Sequence, residues 1–239
     1  MEIVVNHVTK TIKNITVIED VSLTLTSGTI YGLRGVNGSG KTMLMRLIAG
    51  LIRPTEGTIT IDGKVLGKDI SFPPDIGMLI ENPAFIDHYT AAQNLKLIAN
   101  IHRKVGEERI REVLEQVGLG ADDPRKYKQF SLGMKQRLGI AGAILEYPAL
   151  LLIDEPTNAL DTDGIEMVRD LLLEQKQRGA LIILACHDFS VLRELSDEIY
   201  LVREGRVTPY ETQVKSEYNA FGHSFVRCTG ALCMAHLVR

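Results

Sequence analysis

The stretch Gly35-Val36-Asn37-Gly38-Ser39-Gly40-Lys41-Thr42 constrains this chain more than any other. It matches G-x-x-x-x-G-K-[ST], a loop that needs a strand before it and a helix after it. The apolar run Ile30 to Leu33 supplies the strand, and Thr42 to Ala49 reads as the helix, closed by Gly50. The glycines let backbone N–H groups turn inward to phosphate oxygens without Cβ clashes. The start of the helix adds its positive end. Lys41 is expected to neutralise β- and γ-phosphates and the Thr42 hydroxyl to ligate Mg²⁺, with Gly35 through Met43 in contact with the nucleotide.

The rest of the chain fits around that loop. Residues 2–8 and 21–25 read as short strands, and Thr58 to Ile61 followed by Asp62-Gly63 as a hairpin. Ile76 to Ile80 is a further strand. From about Thr90 to Glu146 the pattern turns helical: Ile110, Val113, Leu114 and Val117 are spaced i, i+3, i+4, i+7, with Gly118 as the stop. After Pro148 strand, helix and strand return. Leu150 to Ile153, Leu181 to Ala185 and Ile199 to Val202 are strands, and Ile165, Val168, Leu171 and Leu172 form one helical face. Alternating strands and helices imply a parallel sheet covered by helices on both sides, with the helical middle as an insertion.

Composition narrows the class. The 239 residues suffice for one large or two small domains, and 45% hydrophobic with 24% charged is ordinary for a globular protein. A net charge of −3 gives no reason to expect a nucleic-acid groove. No apolar run reaches membrane-spanning length, and the N-terminus has no basic-then-apolar order. Cys186, Cys228 and Cys233 make no disulfide framework. Cytosolic residence is the expectation, with any membrane connection made through a partner.

A second chemical signal is the strand Leu150 to Ile153, which ends in Asp154-Glu155. In a parallel sheet this strand is expected beside the one feeding the phosphate loop, and ligands bind at the carboxyl ends of such strands. Asp154 can then hold Mg²⁺, and Glu155 can orient or deprotonate the water that attacks the γ-phosphate. His187 ends the next strand on the same sheet edge, where an imidazole N–H can hold the γ-phosphate. Cys186 before it reads as a small core residue.

These pieces, in this order, resemble the ATP-binding cassette family. The resemblance covers residues 1 to about 208 and rests on GVNGSGKT, FSLGMKQR (Phe130 to Arg137), LLIDEPTNALD (Leu151 to Asp161) and the His187 region. It implies an α/β fold: a RecA-like P-loop NTPase core with an antiparallel β subdomain and a helical subdomain inserted at about 85–147. It also implies ATP hydrolysis with Mg²⁺ and a head-to-tail dimer that sandwiches two ATP molecules. The implied partners are a second ATP-binding subunit and a membrane permease, placing the chain on the inner face of the membrane. Ser131 and Gly133 match the positions where the signature of one subunit touches the γ-phosphate held by the other. Gly133 is expected to open a helix running to about Glu146, a second anion-binding N-terminus. Asn158 to Asp161 matches the loop linking the two active sites. The alternative reading is a non-transport ATP switch or a regulatory module. Switches of this family in translation usually carry two cassettes, and those in DNA repair carry long coiled coils.

Three departures individualise the chain. Leu132 stands where the family usually has glycine, and Met134 where it has glutamine. Ile12 stands where the family has an adenine-stacking aromatic, which removes a π-stacking partner and loosens the expected nucleotide selectivity. Glu81 stands where a glutamine is usual. With SLGMKQR it resembles the bacitracin- and lantibiotic-resistance branch of exporters, and it is expected to ligate Mg²⁺. The tail, 209–239, fits no periodic pattern; it contains His223, Cys228, Cys233 and His236, whose spacing lies outside common zinc patterns.

Overall fold

The computed structural model describes residues 1–81 and 83–210. Elements are numbered in chain order. At the centre lie β7 (Leu150–Asp154) and β8 (Leu181–Ala185), buried at every position. Leu150, Leu152, Leu181 and Ile183 point into one apolar cluster, and Leu151, Ile153, Ile182 and Leu184 into another. Such strands read as continuous apolar runs because both faces of a parallel sheet are covered. Each of these side chains contributes about 1.5–3 kcal/mol when removed from water.

The main sheet has six strands, ordered β10 (Arg206–Pro209), β9 (Glu198–Arg203), β3 (Ile30–Arg34), β8, β7 and β6 (Ile76–Leu79). All pair in parallel except β10, which turns back on β9. β7 is therefore not beside β3, as the sequence suggested. β8 lies between them, paired with both. The acidic residues still face the phosphate loop because Asp154 is level with the last residue of β8 and the loop rises over the same strand ends. The boundary expected at 208 falls inside β10, and Tyr210 still bonds back to Ile199.

The second sheet is antiparallel, ordered β2 (Ile15–Thr26), β1 (Glu2–Ile12), β4 (Glu56–Ile61) and β5 (Lys64–Val65). The expected hairpin at Asp62-Gly63 joins β4 to β5. β1 and β2 are far longer than the two short strands read from sequence. They meet in a turn at Lys13-Asn14, whose φ values of 47° and 66° carry two non-glycine residues into the left-handed region. This sheet and α1 (Lys41–Ile48) cover one face of the main sheet.

The other face carries α5 (Thr162–Gln177), α6 (Phe189–Leu195) and the helical insertion. The insertion contains α2 (Ala91–His102), α3 (Glu107–Gln116) and α4 (Leu132–Ile144). α2 starts from a reciprocal capping box between Thr90 and Gln93. α4 lies directly on β6: a Cβ at Gly77 would stand 1.9 Å from the Ala143 carbonyl. Only glycine at 77 lets strand and helix approach so closely, and this contact fixes the insertion against the sheet.

Candidate functional site

The phosphate loop closes over its own lysine. Lys41 Nζ, only 6% exposed as a residue, donates to the carbonyls of Gly35 (2.7 Å) and Val36 (3.2 Å). Gly38 and Gly40 have φ of 79° and 117°, a region open to glycine at little cost, and a Cβ at Gly40 would press on the Val17 carbonyl at 3.0 Å. The buried Ser39 hydroxyl has no partner among the described residues. An N–H-rich loop holding an idle buried hydroxyl and a cation bonded only to carbonyls fits a phosphate chain.

Beside it the acids gather. Thr42 Oγ1 donates to Asp154 Oδ2 at 2.6 Å. Burial pushes the Asp154 carboxyl above its ordinary range; the Thr42 hydrogen bond pulls it back, Glu155 and Glu81 push it up and Lys41 pulls it down. A buried carboxylate with two further acids close by and a hydroxyl on it is a donor set suited to a hard divalent cation, so the residues present fit Mg²⁺. Glu155 sits at φ 51° just past the strand, and its N–H donates to the Ala185 carbonyl at 2.8 Å. Its Oε2 faces His187 Nδ1 at 2.6 Å and accepts from the His187 backbone N–H at 3.3 Å. The His187 side chain is largely exposed. Val17, Asn37, Lys41, Thr42, Asp154 and Glu155 line a cleft of about 450 Å³.

Glu81 lies at the margin. It follows β6 at φ 65° and forms an ion pair with Arg46. Its charge still reaches Asp154. Arg46 and Glu81 belong to a second cleft of about 480 Å³ between the sheet edge and the helical insertion, also lined by Leu51, Met78, Phe85 and Gly142.

Ser131 and Gly133 stand outside the phosphate cleft. Ser131 caps α4, which begins at Leu132, one residue before the expected start, and its Oγ accepts from the Met134 N–H at 3.2 Å. A Cβ at Gly133 would meet the Ala159 carbonyl at 2.8 Å. Leu132 is 64% exposed. Tyr31 is a core residue whose hydroxyl accepts from the Thr26 N–H, and Ile12 is partly exposed at the β1–β2 turn. Cys186 is fully buried, which pushes its thiol up. His223, Cys228, Cys233 and His236 lie outside the described residues.

Two residues of SLGMKQR received no role from the sequence. Gln136, largely buried, donates from Nε2 to the carbonyls of Glu155 (3.0 Å) and Pro156 (3.2 Å). Arg137 donates to the Val117 carbonyl at 2.8 Å and to Asp161 Oδ1 at 3.3 Å, while Asp161 caps α5 through the Gly164 N–H. α4 is thus tied to the backbone of the acidic strand end. The signal was visible as the polar run Lys135-Gln136-Arg137 on an otherwise apolar helix; the partners were not.

Residues 18–158 match the family model for the ABC transporter. The chain is 48% identical over 205 residues to an uncharacterized ABC transporter ATP-binding protein, YybJ, of Bacillus subtilis, covering 86% of this chain and 94% of that one. It is 38% identical to the lantibiotic transport ATP-binding protein SrtF of Streptococcus pyogenes, over 80% of this chain and 82% of SrtF. It is 41% identical to the bacitracin transport ATP-binding protein BcrA of Bacillus licheniformis, over 80% of this chain and 63% of BcrA. The fold is similar to the dimeric ATP-binding cassette MJ0796 bound to ADP and Pi, with a TM-score of 0.77 and 26% identity over 87% of this chain and 98% of that one. The chain belongs to the ABC transporter family, as an ATP-binding subunit carrying that family's ATPase fold.

Proposed function

We propose that this subunit hydrolyses Mg²⁺-ATP as a head-to-tail homodimer and powers a separate permease that exports a peptide antibiotic of the bacitracin or lantibiotic kind. The observation carrying the catalytic part is the convergence of Lys41, Thr42, Asp154 and Glu155 on one cleft, with His187 held against Glu155 at its edge. The likeness to BcrA and SrtF supports the cargo class. Among the described residues no helix is long and apolar enough to cross a membrane, which fits a separate permease. The cleft holding Arg46, Met78, Glu81 and Phe85 faces that permease in this reading.

The residues divide the work. Lys41 exchanges the carbonyls of Gly35 and Val36 for β- and γ-phosphate oxygens. Thr42, Asp154 and Glu81 would hold Mg²⁺, which would neutralise charge on the β- and γ-phosphates. Glu155 takes the proton of the attacking water, and His187 holds both that carboxylate and the γ-phosphate. Ser131 and Gly133, at the start of α4, complete the site of the second copy.

ATP turnover tests this directly. Glu155→Gln should lower turnover by about 100-fold or more while ATP binding stays intact. Wild-type turnover by that variant would overturn the assignment.

A further inference from the structure

We propose that Glu155, Cys186 and His187 form a binding site for a thiophilic divalent cation, Zn²⁺ above all, and that its occupation silences ATP hydrolysis. One ligand atom from each residue, a carboxylate oxygen, the sulfur and a ring nitrogen, lies within 4.8 Å of the others. In a tetrahedral zinc site with ordinary bond lengths such atoms stand about 3.3–3.6 Å apart. The contact between Glu155 and His187 must open from 2.6 Å, and the exposed imidazole has room to do so.

The backbone pre-positions the set. Cys186 and His187 leave the end of β8 in succession, and Glu155 is pinned to that strand end through its N–H on Ala185. The buried sulfur has polar neighbours at the strand end, with Thr157 Oγ1 at 3.8 Å and the Asp188 backbone N–H also on it. Both can donate to a thiolate. On binding, the Cys186 thiol releases its proton to solvent, His187 coordinates through Nδ1 with its proton moved to Nε2, and Glu155 coordinates as the carboxylate. Two anionic ligands then neutralise the cation, and a fourth position stays open to water. Mg²⁺ does not compete for this set, because a hard cation avoids sulfur. Binding does not depend on the proposed function. The inhibition does, since it acts by taking the Glu155 carboxylate from the attacking water.

The test uses the full chain with added Zn²⁺, and Co²⁺ as a spectroscopic probe. Wild type should show a thiolate-to-cobalt charge-transfer band, and zinc should lower Mg²⁺-ATP turnover at least tenfold. Cys186→Ala and the near-isosteric Cys186→Ser should keep basal turnover, lose the band and resist zinc. A Cys228→Ser/Cys233→Ser variant should respond as wild type does. Equal zinc sensitivity in wild type and both Cys186 variants, or loss of the effect with Cys228 and Cys233, would overturn the proposal. If wild type turns over no ATP at all, the cobalt band still decides the binding claim while the failure falls on the proposed function.

Discussion

The phosphate loop and the start of α4 are both helix N-termini, yet they are equipped to different degrees. The phosphate loop has its cation, its hydroxyl and its acids in one cleft, with Lys41 already folded onto carbonyls and Thr42 onto Asp154. The α4 terminus has a capping serine and an exposed Leu132, and none of its residues lines that cleft. What α4 does possess is a buried connection, through Gln136 to the carbonyls of Glu155 and Pro156. In the proposed reading one region binds its anion alone, whereas the other meets an anion held by a second copy. Gln136 would then tie that contact to the backbone of the acidic strand end.

The comparison breaks most sharply when each half is damaged separately. Lys41→Ala should abolish ATP binding. Gly133→Asp should leave ATP binding to the single chain intact but cut turnover by about 100-fold, since it places an acid and a clashing Cβ where an anion is expected. Nucleotide binding by fluorescence and turnover by phosphate release separate the two. Equal loss of binding in both would merge the regions into one site.

A subtler difference concerns stability. Asp154 is buried with its carboxyl pushed up, so its charged form destabilises the fold. In the folded chain it holds its proton to a higher pH than in the unfolded chain. Stability from this group is therefore present below the ordinary carboxyl range and is lost as pH rises through the raised value. Asp154→Asn should raise Tm at neutral pH while abolishing turnover. That gain should vanish in acid, where both forms are neutral. An unchanged Tm at neutral pH would show that the site carries no such strain. No comparable cost falls on the α4 terminus, whose Ser131 cap stabilises it by about 1 kcal/mol.

The smallest effect is expected at Glu81. Its pair with Arg46 is partly solvent-exposed, so Glu81→Ala should change stability by less than about 1 kcal/mol. Turnover should nevertheless need more Mg²⁺ than in wild type. Unchanged Mg²⁺ dependence would leave Glu81 as a surface acid.

Much of this was legible in the sequence because it is local. The phosphate loop, the strands around it and the helical insertion follow from spacing and glycine placement. The order of the main sheet was not legible, since apolar runs such as β7 and β8 do not say which neighbour they pair with. The β1–β2 hairpin was missed because Lys13-Asn14 makes its turn without glycine, and because His7 and Asp20, both at positive φ, break the alternation. Gln136 and Arg137 act on carbonyls about twenty residues away, a distance at which no periodic pattern speaks.

The central claim is that the α4 terminus is completed by the ATP of a second copy. The mass of Glu155→Gln in solution, measured by light scattering with and without Mg²⁺-ATP, tests it most directly. The account predicts a single-chain mass without nucleotide, a doubled mass with it, and no doubling once Gly133→Asp is added. A mass that stays single with ATP, or doubles regardless of Gly133, would contradict it.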